Sequence, residues 1–146
     1  MCYNKGTKTN HRKEDKKMGF FYTGFDYKNR KNGYFKIGET GMKYLNSRLA
    51  VIRQTDCFQC LKYLILPNST KSEREVIESI VRLQLERAEH LNLTHTKNDH
   101  FLYVIRKDEK YEQAYEIADY AIEWAIKACE MFNIEYVIGT KVMKRG

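Results

Sequence analysis

Four side chains of the kind that handle phosphate follow one another along the chain: Tyr22, Lys36, Arg48 and Glu78. A phenol can move a proton, an ammonium or a guanidinium can hold phosphate oxygens, and a carboxylate can hold a hard cation. Each type also occurs for reasons unrelated to chemistry. Tyr22 is one of eleven tyrosines, and strands favour tyrosine. Arg48 on a helix is ordinarily solvated. Glu78 with Arg82 four residues later has the spacing of a surface ion pair, worth roughly 0.2–0.5 kcal/mol. What separates the two readings is the order of the elements that carry these side chains.

The run Gly19-Phe20-Phe21-Tyr22-Thr23-Gly24-Phe25 has strand character, as does Tyr34-Phe35-Lys36-Ile37-Gly38. Between them Asp26 to Gly33 is rich in turn formers, and Asn32-Gly33 predicts an antiparallel hairpin. Alternation then puts Tyr34 and Lys36 on one face and Phe35 and Ile37 on the other. Glu39-Thr40-Gly41 breaks the strand, and Leu45, Leu49 and Ile52 at helical spacing predict a short helix over 42–53. Phe58 to Leu66 reads as a third strand, closed by Pro67. Thr70-Lys71-Ser72-Glu73 has the capping-box pattern and opens a helix to about Leu91. A loop from Asn92 to Asp99 precedes a strand over Phe101 to Ile105. Ala114, Ile117, Ala118, Ala121, Ile122, Ala125, Ala128, Cys129 and Phe132 form the apolar stripe of a last helix, and Ile134 to Gly139 adds an edge strand.

The sequence of a strand with Tyr22, a strand reading Tyr34-Phe35-Lys36-Ile37-Gly38-Glu39-Thr40, a helix with Ser47-Arg48-Leu49 and a helix with Glu78-Ser79-Ile80-Val81-Arg82 resembles the GIY-YIG nuclease superfamily. The resemblance is to a phage- and bacteria-associated branch whose second motif reads K-I-G. It covers about Gly19 to Val104, and Asp99-His100-Phe101 stands where that branch often has an acidic-aromatic-Phe strand. The implied fold is α+β, a small central antiparallel sheet flanked by helices, here with an extra C-terminal amphipathic helix. The implied activity is metal-dependent endonucleolytic hydrolysis of DNA.

For that reaction the resemblance implies that Glu78 holds Mg²⁺ or Mn²⁺, with Glu75 one turn earlier as its competitor. Arg48 binds phosphate oxygens, and Tyr22 orients or deprotonates the attacking water, which requires its phenol to lie well below the reference pKa of about 10. Lys36 replaces the second tyrosine; a protonated lysine cannot be a base, so it binds phosphate or assists Tyr22. Tyr34, Gly38, Thr40 and His100 are the expected substrate-binding positions, with Gly38 where the backbone can approach a phosphate. Arg82 departs from the histidine common in related sequences. Two alternatives remain open: a non-catalytic nucleic-acid-binding module of the same fold, and an interaction module docking through its C-terminal helix.

Composition agrees with one core. The chain has 146 residues, 42% of them hydrophobic and 31% charged, with a single proline. It divides into a mobile basic arm (1–17), the nuclease-like segment (18–106) and a C-terminal helix with its edge strand (107–146). No run approaches the roughly 18–20 apolar residues of a membrane span, and no signal-peptide core follows the basic start, so an intracellular, soluble protein is expected. The net charge of +7 is unevenly placed: six basic and two acidic residues in 1–17, fourteen and nine in 18–106, six and eight in 107–146. A basic middle suits a polyanion such as DNA. No separate recognition domain is visible, so specificity is low or comes from a homodimer or a protein partner. Cys57 and Cys60 form a C-x-x-C, but Cys2, Cys129 and the four histidines supply no matching ligand pair, and reduced thiols are expected.

Overall fold

A computed structural model describes residues 15–26, 32–53, 58–97, 100–104 and 110–139. Most of the basic arm, Cys2, His11, Cys57, Asp99 and Ile105 lie outside the described residues. The elements in chain order are β1 (Lys17–Asp26), β2 (Asn32–Thr40), α1 (Leu45–Ile52), β3 (Phe58–Ser69), α2 (Lys71–Arg87), a 3₁₀ turn (Glu89–Leu91), β4 (Thr94–Lys97), β5 (His100–Val104), α3 (Lys110–Met131) and β6 (Val137–Ile138). The strands form one antiparallel sheet in the order β4-β5-β2-β1-β3-β6. This is the expected α+β arrangement, with the C-terminal helix packed on the sheet.

The sheet has a helical layer on each face. Phe21, Phe25, Phe35, Ile37, Leu61, Leu64 and Phe101 point to one side, where Ile77, Val81 and Leu85 of α2 and the alanine-rich stripe of α3 close the larger core. Phe20, Tyr22, Phe58 and Cys60 point to the other, beneath Leu45, Leu49 and Ile52 of α1. A strand covered on both faces has no polar side to show, so β1 reads as an unbroken aromatic run. A bulge keeps β1 and β3 in step: Thr23 pairs with Lys62 and Gly24 with Cys60, leaving Leu61 as the extra residue. The buried Thr23 hydroxyl donates to the Lys62 carbonyl at 2.9 Å and accepts from its N–H at 3.2 Å.

Several local expectations change in the tertiary setting. Asn32 and Gly33 are already in β2, paired with Val104 and Tyr103, because β5 offers them ladder partners that an isolated hairpin lacks. The segment after Asn92 contains β4, whose polar Thr-His-Thr-Lys sequence carries no periodic signal and pairs only along the β5 edge. α2 ends at Arg87, with a 3₁₀ turn completing the stretch to Leu91. Phe132 falls beyond α3: Asn133 adopts the left-handed φ of 57°, the Ile134 N–H closes back on the Cys129 carbonyl at 2.8 Å, and Phe132 turns outward to 50% exposure. No described helix is long and apolar enough to cross a membrane.

The capping box forms as expected. Thr70 Oγ1 accepts from the Glu73 N–H at 3.1 Å, and Glu73 Oε1 accepts from the Thr70 N–H at 2.9 Å. Thr70→Ala removes one half and is expected to lower stability by about 1 kcal/mol, read as a shift of the urea midpoint with an unchanged slope. Cys60 and Cys129 are buried free thiols, and desolvation pushes each thiol up to about 12. Since the thiolate is the reactive form, neither is expected to be alkylated by iodoacetamide at pH 8 until denaturant is added, as peptide mapping by mass spectrometry would report.

Candidate functional site

Cross-strand register assembles most of the candidate residues on one face. Tyr22 pairs with Gly38 and Phe20 with Thr40, while Lys36 pairs with Gly24 on one side and His100 on the other. Directly paired residues share a face, so Tyr22, Tyr34, Lys36, Gly38, Thr40 and His100 all lie on the α1 side of the sheet. Tyr34, Lys36 and His100 are half-buried, whereas Tyr22 is 1% exposed.

Tyr22 meets both Gly38 and Arg48 directly. The Tyr22 ring crosses to β2 and lies over Gly38, where a Cβ would stand 2.4 Å from the phenol oxygen. Phe58 packs edge-on against the ring at 5.9 Å between centroids. Above it, α1 turns Leu45, Leu49 and Ile52 inward, which leaves Arg48 on the helix flank. Its Nε donates to the Tyr22 oxygen at 3.3 Å. Gly38 is thus required by the close approach of a side chain from the neighbouring strand.

Arg48 also lines an open cleft of about 430 Å³ at the end of β2, together with Lys17, Glu39, Thr40, Gly41, Met42, Lys71 and Arg74. Its fixed wall is Arg74, only 2% exposed. The Arg74 Nε donates to Glu39 Oε1 at 3.0 Å, and Nη1 donates to the Ser69 carbonyl and hydroxyl, each at 3.0 Å. Thr40 Oγ1 accepts from the Met42 N–H at 3.1 Å and shapes the exit from β2. Four cationic side chains therefore face one carboxylate, and that carboxylate is engaged by Arg74.

Glu78 comes from the other layer. α2 buries Arg74, Ile77, Val81 and Leu85, and the last three belong to the core opposite Tyr22. Glu78 is half-buried one turn after Arg74, while Glu75 is exposed. Glu78 is not among the residues that line the cleft. Among the described residues, no three His, Cys, Asp or Glu side chains gather as a ligand set. A closed protein cage for Ca²⁺ or Zn²⁺ does not fit. Mg²⁺ bound through a single carboxylate would instead take most of its shell from water and phosphate.

Arg74, Lys17, Lys71 and Gly41 were not singled out in the sequence. Arg74 carries a legible signal, since Arg74, Ile77, Val81 and Leu85 continue one stripe at i, i+3, i+7 and i+11. Lys17 reads as the end of the basic arm and becomes part of the site only because β1 begins there, opposite Ser69.

The packing around Tyr22 makes a testable ordering. Gly38→Ala forces the wedged ring to move and is expected to cost about 1–3 kcal/mol. Tyr22→Phe keeps the ring and removes the hydroxyl that accepts from Arg48 Nε, with an expected cost below about 1.5 kcal/mol. Urea denaturation of the two variants reads the order directly, and a larger loss for Tyr22→Phe would contradict it.

Compared with known proteins, the chain matches no family model, no curated protein and no solved structure.

Proposed function

We propose that the protein is a metal-dependent endonuclease that hydrolyses DNA phosphodiester bonds at the Tyr22–Arg48 site. The single observation that carries this reading is the Arg48 guanidinium, hydrogen-bonded to the Tyr22 oxygen at 3.3 Å while lining a cleft of four cationic side chains. Hydrolysis needs the scissile phosphate held, its developing charge neutralised and a water oriented for attack. Arg48 holds phosphate oxygens through the planar fork suited to paired contacts, and Tyr22 fixes the direction of that fork. At 1% exposure Tyr22 acts on a water only after Arg48 has turned toward the phosphate. Lys36, on the same face, adds positive charge, and Tyr34, Gly38, Thr40 and His100 border the substrate path.

Glu78 is the carboxylate assigned to Mg²⁺ or Mn²⁺, and an ion held there would take the rest of its shell from water and phosphate. When bound, the ion supplies charge neutralisation at the phosphate and leaving oxygen. The fold class, the motif order and the basic segment 18–106 support the same reading.

A second reading is nucleic-acid binding without cleavage. The position of Glu78 in the layer opposite Tyr22 favours it, as does the burial of the phenol. One experiment separates the two. Purified protein with supercoiled plasmid and Mg²⁺ or Mn²⁺ is expected to nick it, and Arg48→Ala and Glu78→Ala are each expected to slow nicking by about 10²-fold or more. Equal nicking by the wild type and Glu78→Ala would sink the assignment. Salt-sensitive DNA binding with no cleavage in either metal would establish the second reading.

A further inference from the structure

The cleft extends beyond the contact between Arg48 and Tyr22, and its far side is built from residues to which no role has yet been given. Lys17 enters from the start of β1 and Lys71 from the first turn of α2, and both are exposed. Gly41 lies beside them: a Cβ there would stand 2.9 Å from Lys17 Cε and 2.5 Å from Arg74 Nη2. The absence of a side chain therefore lets Lys17 and Arg74 pack close together against the backbone at the end of β2. Arg74 itself is held by Glu39 and Ser69, so its charge is offset and its position set. The nearby Glu73 is engaged by the Thr70 N–H and by Lys16 at 3.6 Å. Lys17 and Lys71 thus add two exposed positive charges to a cleft whose one carboxylate, Glu39, is engaged by Arg74.

We propose that this cleft is a second backbone-phosphate site, in which Lys17 and Lys71 hold the phosphate of a polynucleotide strand that neighbours the one held by Arg48. The inference rests on the phosphate-binding role of Arg48 but not on cleavage. Two lysine point charges beside an arginine fork suit successive phosphates of one strand, where sequence-independent positioning is wanted. A volume of about 430 Å³ takes a phosphodiester group, and a cleft open to solvent lets a polymer continue past it. Lys17 and Lys71 belong to different elements, β1 and α2, so the site sets the strand's path across the end of the sheet toward Tyr22.

The test is fluorescence anisotropy with a labelled DNA duplex in EDTA across a salt series, where no cleavage can intervene. Lys17→Ala/Lys71→Ala is expected to weaken binding on the order of 10- to 100-fold near 0.1 M salt and to reduce the slope of log affinity against log salt by about 2. Arg87→Ala/Lys127→Ala removes the same charge from exposed positions at the end of α2 and on α3, and is expected to leave the slope within about half a unit of wild type. Equal loss in both pairs would overturn the site, because only net charge would then matter. So would an absence of wild-type binding, or poly-glutamate of matched charge competing as well as unlabelled DNA. If Lys17 and Lys71 govern binding while the wild type never nicks plasmid, the phosphate site stands and the nuclease reading falls. If the wild type nicks plasmid and Lys17→Ala/Lys71→Ala binds as the control pair does, the nuclease reading stands and the site falls.

Discussion

The architecture depends on β1 being buried on both faces. Every residue from Gly19 to Phe25 is buried, and β1 lies between β2 and β3 in the sheet. Alternate side chains therefore feed two separate cores. Phe21 and Phe25 anchor the larger one under α2 and α3, while Phe20 and Tyr22 anchor the smaller one under α1. A slip of one residue would exchange those sets and send Tyr22 into the wrong layer. The Thr23 hydroxyl opposes such a slip, because it satisfies both backbone groups of Lys62 at the bulge. The site is thus a consequence of the register of the central strand.

Arg74 supplies a tie at one end of this two-layered arrangement. It stands on α2, reaches Glu39 at the end of β2, and binds Ser69 at the end of β3. A buried ion pair contributes little net stability compared with apolar packing, but removing one partner strands the other charge. Its value here lies in geometry. Three hydrogen bonds on a nearly inaccessible guanidinium hold the α2 start against the strand ends, and the cleft with Arg48 opens at that junction. Residues from both helical layers can therefore contribute to one surface, although the sheet separates them over most of its area.

Much of the fold is legible because its signals are local. The aromatic run of β1, the stripe of α3 and the Thr70–Glu73 capping box each specify their element without distant partners. β4 is not legible, because Thr94 to Lys97 become a strand only by pairing with β5. Asn32-Gly33 misleads for a related reason: a dipeptide suited to a turn is drawn into the ladder when β5 supplies hydrogen-bonding partners. Phe132 continues the helical spacing, but the left-handed Asn133 ends α3 and turns it outward.

The candidate site divides along the same line. Residue type and strand parity in the sequence alone place Tyr34 and Lys36 on one face, because alternation is a property of any extended backbone. The order of Tyr22, Lys36, Arg48 and Glu78 along the elements is likewise written in the chain. Which of them touch is decided by tertiary structure, since strand register and helix docking set distances between residues remote in sequence. Those constraints bring Arg48 to Tyr22 across 26 positions and put α2, with Glu78, on the opposite layer. They also turn Lys17, Lys71 and Arg74 from scattered basic residues into the walls of one cleft.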